Sequence, residues 1–201
     1  MSSRRRRLMM MAGGTQDPYA NYLSYADFVG AADLDSGSYT PEKGGAFTAP
    51  LGGTFVLDGS GGIKKTADDN THQFLMQDLS DGDVVITGEV KMPAGKVTGV
   101  ICRYVDTNNY VLVQFHQGTG DVAIYERLAG SFNLRGNSAV TLTADTYFAY
   151  TVTLSGSSAS ALINSITANG TLVTLLTGGK HGPHIFDSDV PCFHKAYRVT
   201  P

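Results

Sequence analysis

Gly99-Val100-Ile101-Cys102-Arg103-Tyr104-Val105-Asp106-Thr107-Asn108-Asn109-Tyr110-Val111-Leu112-Val113-Gln114-Phe115 is the stretch that decides the fold. Two apolar runs flank a polar break at Asp106 to Asn109. Asn108 and Asn109 tolerate positive φ and can hydrogen-bond their own backbone, so they turn the chain sharply between two apolar strands. The stretch therefore reads as an antiparallel hairpin.

The same alternation extends outward from it. In Val84 to Met92, Val84, Ile86, Val90 and Met92 are apolar around Gly88, while Thr87, Glu89 and Lys91 alternate with them. One face of such a strand is buried and the other is wet. Phe148, Tyr150, Val152 and Leu154 repeat the pattern, and Val122, Ile124 and Leu128 do so more weakly. Turn clusters punctuate these runs at Asp58 to Gly62, Asp81-Gly82, Pro93 to Gly95, Gly118 to Gly120, Ser155 to Ser157 and Asn169-Gly170. Such spacing marks a β-sandwich or barrel. Strands are expected near 54–57, 62–66, 72–79, 83–92, 96–105, 109–117, 121–128, 131–135, 147–155, 158–164, 167–176, 181–187 and 193–200. No long helical pattern and no repeat beyond the succession of hairpins competes with this reading.

The stretch 99–115 resembles the central hairpin of concanavalin A-like, laminin G-like jelly rolls, in which an apolar strand turns through an Asp-x-Asn-Asn segment into a second apolar strand. Asp121 to Gly130, Thr146 to Gly156 and the closing Phe193 to Thr200 are similar to later strands of that superfamily. The resemblance covers residues 27–201 and implies an all-β, antiparallel two-sheet jelly-roll sandwich. Asp27-Phe28, Thr40-Pro41 and Gly44-Gly45-Ala46-Phe47 are similar to an opening found when such domains occur in bacteriophage structural proteins. The Arg- and Met-rich start resembles the beginnings of small virion proteins.

The 201 residues, 42% hydrophobic, suit one domain with a sizeable core. The formal charge of -3 is uneven, because Arg4, Arg5, Arg6 and Arg7 leave 11 basic residues against 18 acidic ones in the rest. Together with Leu8, Met9, Met10 and Met11 they read as an extended N-terminal arm. Its arginines can pair with carboxylates or phosphates, and its methionines can fill an apolar groove on a partner. Residues 1–25 are taken as arm and linker, and 26–201 as the sandwich. In the linker, Tyr19, Tyr22 and Tyr25 either share one side of a short helix or lean on the domain, and core packing is the preferred reading. Leu8 to Ala12 is shorter than the about 7–15 apolar residues of a secretory signal. No stretch approaches the roughly 20 that span a bilayer, so a membrane role is not expected. Cys102 and Cys192 read as two reduced thiols, with Cys102 acting as a small core hydrophobe.

Chemistry-bearing motifs are sparse. Related glucanases carry catalytic carboxylates in a Glu-x-Asp-x-Glu pattern on one strand, and retaining glycosidases hold the pair about 5–5.5 Å apart. Glu42, Glu89 and Glu126 are the only glutamates, and none belongs to such a triplet, so no catalytic residue is assigned. His181 and His184, separated by Gly182-Pro183, form a poor metal signature. Asp33, Asp35, Asp68, Asp69, Asp78, Asp81 and Asp83 offer oxygens to a Ca²⁺ ion, as laminin G-like domains sometimes do, but without EF-hand spacing. They are read as acidic turns, with no cofactor or metal assigned. Sugar recognition relies on aromatic faces. With no Trp in the chain, the candidates at loop edges are Tyr39, Tyr104, Tyr110 and Tyr125.

The combined expectation is a non-enzymatic bacteriophage virion accessory or decoration protein. It would be assembled in the host cytoplasm, anchored by its arm to capsid, neck or tail proteins, and would expose a jelly roll to bacterial surface glycans. A free lectin-like module is the alternative, and a glycoside hydrolase ranks below it. A nucleic-acid role would rest on the four arginines alone. Homo-oligomerisation stays open, since such sandwiches occur as monomers and as trimers.

Overall fold

The computed structural model describes residues 17–30, 39–51, 55–65, 72–186 and 192–201. The expected arm, Arg4 to Met11, lies outside the described residues, as do Asp33, Asp35, Asp68 and Asp69. The described residues contain fifteen β-strands and no helix, arranged as two antiparallel sheets packed face to face.

The first sheet runs β13 (Ile166–Thr171), β12 (Ser158–Ile163), β11 (Tyr147–Ser155), β6 (Val84–Lys91), β15 (Phe193–Thr200), β3 (Gly62–Lys65), β2 (Phe55–Leu57), with β1 (Ser24–Ala26) also on β15. The second runs β10 (Ser131–Ala139), β9 (Asp121–Leu128), β8 (Asn109–His116), β7 (Val97–Asp106), β14 (Lys180–Phe186), β4 (His72–Phe74), with β5 (Gln77–Asp78) also on β14.

Period-two alternation accounts for the first sheet directly. Along β6 every second residue is buried, placing Val84, Ile86 and Val90 inside, and β11 adds Tyr150, Val152 and Leu154. The second sheet differs, because residues 110–115 of β8 are buried without a break. Val111, Val113 and Phe115 enter the inter-sheet core with Val100, Cys102, Val122, Ile124 and Ile185. Residues of opposite parity form a separate cluster on the outer face: Phe74, Met76, Ile101, Tyr104, Tyr110 and Leu112. A strand buried on both faces reads as a continuous apolar run, which is the character of 110–115.

Each expected strand range carries a strand, with adjustments that have local causes. The range 72–79 is divided into β4 and β5, where Leu75 N donates to Pro183 O and Met76 pairs with Thr48. Residues 172–176 leave the sheet, because the backbone amides of Val173 and Thr174 turn to the Glu126 carboxylate. Around 18–21 the chain makes a turn in place of a helix, and Tyr19 and Tyr22 lie 4.6 and 5.4 Å from the Tyr25 ring, half-buried against the domain. Since β1 spans Ser24–Ala26 and pairs with β15, the 25/26 boundary falls inside a strand of the sandwich. Cys102 and Cys192 are buried free thiols.

Candidate functional site

The outer face of the second sheet is built from rows of side chains set by strand register. One row runs His184, Gly99, Gln114, Ala123 across β14, β7, β8 and β9. The next runs Gly182, Ile101, Leu112, Tyr125, Leu134, and a third Tyr110, Arg127, Phe132. Small residues at Gly99 and Ala123 keep the first row low, while rings from neighbouring rows stand above it.

A cleft of about 220 Å³ opens there between His72, Gln114, Tyr125 and Phe132. Larger grooves exist, about 570 Å³ along β11–β13 and about 630 Å³ beside Gly118 to Gly120, neither with an aromatic residue in its lining, and one of about 400 Å³ that begins at Tyr147 on the first sheet. The smaller cleft combines rings with a polar floor, which is the composition of a specific ligand site. Gln114 is almost buried, and among the described residues its side-chain amide makes no hydrogen bond, so both its donor and acceptor can serve a ligand.

The walls are rigidly held. The Arg127 guanidinium lies 4.8 Å from the Phe132 ring centre and 5.5 Å from that of Tyr110. Its Nη1 donates to Tyr110 Oη at 2.9 Å and its Nε to Gly130 O at 3.2 Å. This cation–π and hydrogen-bond set fixes Phe132 although the ring is 42% exposed. Tyr125 meets Phe132 edge-on at 6.1 Å. On the other side His72 packs against Phe186 at 4.6 Å and Phe132 at 5.2 Å.

Behind His72, its Nδ1 lies 2.9 Å from Nε2 of the fully buried His184. Burial, helped by the Arg127 charge, pushes the His72 pKa down to about 4. Burial and the neighbouring His72 hold His184 well below the usual histidine range. Both imidazoles are therefore neutral near pH 7, and at this contact the N–H of one ring donates to the unprotonated nitrogen of the other. His181 and His184, close in sequence and read as a poor metal signature, point to different partners: His181 Nε2 meets Asp81 O at 2.7 Å, while His184 faces His72.

The structure sorts the four sequence candidates. Tyr125 lines the cleft. Tyr104 and Tyr110 share its face but are 7% and 0% exposed, stacked on each other at 6.0 Å, so they support the site from below and offer no ring face to a ligand. Tyr39 is a correction: it packs on Phe28 in the inter-sheet core, its hydroxyl accepting from Phe28 N and donating to Glu42. Phe132, His72, Gln114 and Arg127 were not singled out by the sequence. The alternation of Phe132 and Leu134 with Asn133 and Arg135 was a signal for one shared face, but it does not say that the face is wet.

Among the described residues, no carboxylate lines the cleft. The three glutamates are engaged elsewhere: Glu42 with Tyr39 and Asp27 N, Glu89 with Lys195 at 3.1 Å, and Glu126 with Arg135. Among the described residues, no group of three His, Cys, Asp or Glu is placed to hold a metal ion.

Comparison of the fold with solved structures gives relatives in architecture. The carbohydrate-binding module CBM66 from Bacillus subtilis matches with a TM-score of 0.67 at 11% identity, covering 77% of this chain and 95% of its own. A Bacillus subtilis protein of unknown function with a galectin-like fold matches at 0.62 and 11% identity, covering 88% and 97%. A Bacillus licheniformis β-glucanase matches at 0.55 and 15% identity, covering 88% and 96%. The protein is thus an all-β jelly-roll sandwich of the galectin-like, concanavalin A-like kind. By sequence, no family model and no curated protein matches it. The structural neighbours give no indication of a bacteriophage origin.

Proposed function

We propose that the protein is a non-catalytic glycan-binding domain whose ligand sits on the outer face of the second sheet. The observation that carries this reading is the cleft itself: Tyr125 and Phe132 offer ring surface, and Gln114 and His72 offer polar groups around a space the size of a sugar ring. Sugars bind by this combination, with C–H faces against rings and hydroxyls against amides and imidazoles. The similarity in fold to a carbohydrate-binding module supports it. The engagement of all three glutamates supports binding over hydrolysis.

A glycan array probed with the full chain tests the proposal. Binding to one glycan class is expected, weakened about tenfold by Phe132→Ala or Tyr125→Ala, the scale of one lost ring contact. A blank array, or binding indifferent to both substitutions, overturns it.

The finer reading attaches this domain to a bacteriophage particle as an accessory or decoration protein, with virion proteins as partners of residues 1–25. Its support is the sequence alone: the basic, Met-rich run Arg4 to Met11 ahead of an acidic body. Deleting residues 2–12 is expected to abolish incorporation into particles while leaving the glycan array unchanged. Full incorporation of the truncated chain removes the anchoring role without touching the binding site.

A further inference from the structure

The outer face of the first sheet carries a second cluster, which the proposed glycan cleft does not use. Tyr147 on β11, Lys91 on β6 and Phe193 on β15 stand in one register row, and Glu89 and Lys195 are opposed in the next. The Lys91 ammonium lies 4.1 Å from the Phe193 ring centre and 5.1 Å from that of Tyr147. The Lys195 ammonium lies 3.9 Å from the same Tyr147 ring and 3.1 Å from a Glu89 oxygen.

Two cations thus share one aromatic face, and they are not equivalent. Lys195 has a carboxylate partner. Lys91 has rings, and among the described residues its ammonium makes no ion pair or hydrogen bond. Asp58 feels the Lys91 charge, but its carboxylate accepts from Ser60 N, Ser60 Oγ and Gly62 N. An ammonium set between aromatic rings with no carboxylate bonded to it, beside a second ammonium that has one, is suited to contact an external anion.

A groove of about 400 Å³ begins at Tyr147 and passes Thr151, Leu162, Asn164 and Ser165. An anion held at Lys91 would therefore have space beside it for the ring that carries it, with hydroxyl and amide groups along the way.

We propose that this face is a second binding site, for an acidic polysaccharide, in which Lys91 contacts the carboxylate or sulfate and the Tyr147 groove receives the adjoining sugar. The proposal stands on different residues from the cleft at Tyr125 and Phe132, and neither depends on the other.

The test is the affinity of the full chain for polygalacturonate and for dextran sulfate, with unmodified dextran as the neutral arm. The first two separate carboxylate from sulfate. Binding of at least one acidic polymer is expected, falling as salt rises. Lys91→Met keeps the alkyl stem and is expected to weaken binding about tenfold, whereas Lys91→Arg keeps the charge and retains it, which guards against loss through misfolding. Phe132→Ala is expected to leave this binding intact. Equal affinity of Lys91→Met and the parent, equal affinity for dextran, or tighter Lys91-dependent binding to duplex DNA than to either acidic polymer would each overturn the assignment.

Discussion

Glu126 is a carboxylate that serves the architecture of the sandwich. Its side chain is fully buried and accepts from Arg135 Nε at 2.7 Å, Val173 N at 3.0 Å and Thr174 N at 2.9 Å. These bonds hold the 172–176 segment against β9 and β10, with Val173 and Leu175 facing solvent. Glu126→Gln replaces one acceptor oxygen by a donor that faces other donors. It is expected to destabilise the fold by about 2–3 kcal/mol, read from the denaturant midpoint. Glu89→Gln, which disturbs only the partly exposed pair with Lys195, is expected to cost less than about 1 kcal/mol. At this scale the sequence could not separate wet rings from dry ones. Tyr39 and Tyr125 carry the same side chain, yet the one in a polar stretch of sequence lies in the core and the one beside an apolar run lies on the cleft. That difference is made by strands distant in the chain.

Among the elements, β7 and β8 form the hairpin on which the sandwich is centred, and Gly99 lets them approach. A Cβ at Gly99 would sit 1.9 Å from Val113 O, inside any permitted contact. Gly99→Ala is therefore expected to force the two strands apart and cost about 1–3 kcal/mol, measured by chemical denaturation. Gly45→Ala, with open space around it, serves as the control and should change little. The hairpin was legible because its turn chemistry and its apolar runs agree. The division of 72–79 and the departure of 172–176 were not, because each depends on a backbone partner far away in sequence, at Pro183 and at Glu126.

The whole molecule is joined across its core by polar pins as well as apolar packing. Arg103, 1% exposed in its side chain, spans from the second sheet to Gly82 O, Gly156 O and Asp83 at the edge of the first. His194 on β15 reaches Thr98 Oγ1 at 2.7 Å and His184 O at 3.2 Å in the opposite sheet. Burial pushes the His194 pKa down to about 4, partly opposed by its bond to His184 O. Burial is also the leading cause of the downward shifts at His72, His116, His181 and His184. Each of the five is biased toward its neutral form in the fold, whereas in the unfolded chain each takes up a proton near pH 6.5. The unfolded state then binds more protons below that pH, so stability falls as the pH drops from about 6.5 towards 4. His194 alone accounts for a loss on the order of 3 kcal/mol over that window. Calorimetry across it is expected to show a steadily falling Tm, and a flat profile would contradict the neutral buried histidines. The carboxylates held low by hydrogen bonds, Asp58 and Asp106 among them, add their own loss of stability only as the pH approaches the unfolded carboxylate range of about 4, so the upper part of the window reports the histidines.

Alternation and turn chemistry, both local, were enough for the sequence alone to determine an antiparallel β-sandwich and the approximate place of its strands. Period two tells which residues share a face, and asparagine or glycine pairs tell where the chain reverses. Only the tertiary structure decided which faces meet water. β14 lies beside β7, β4 beside β14, and β10 beside β9 on the far edge, which brings His72, Gln114, Tyr125 and Phe132 around one cleft and leaves Tyr39 in the core. Strand order is a long-range property, set by the burial of apolar area summed over the whole chain, and no short window of residues contains it.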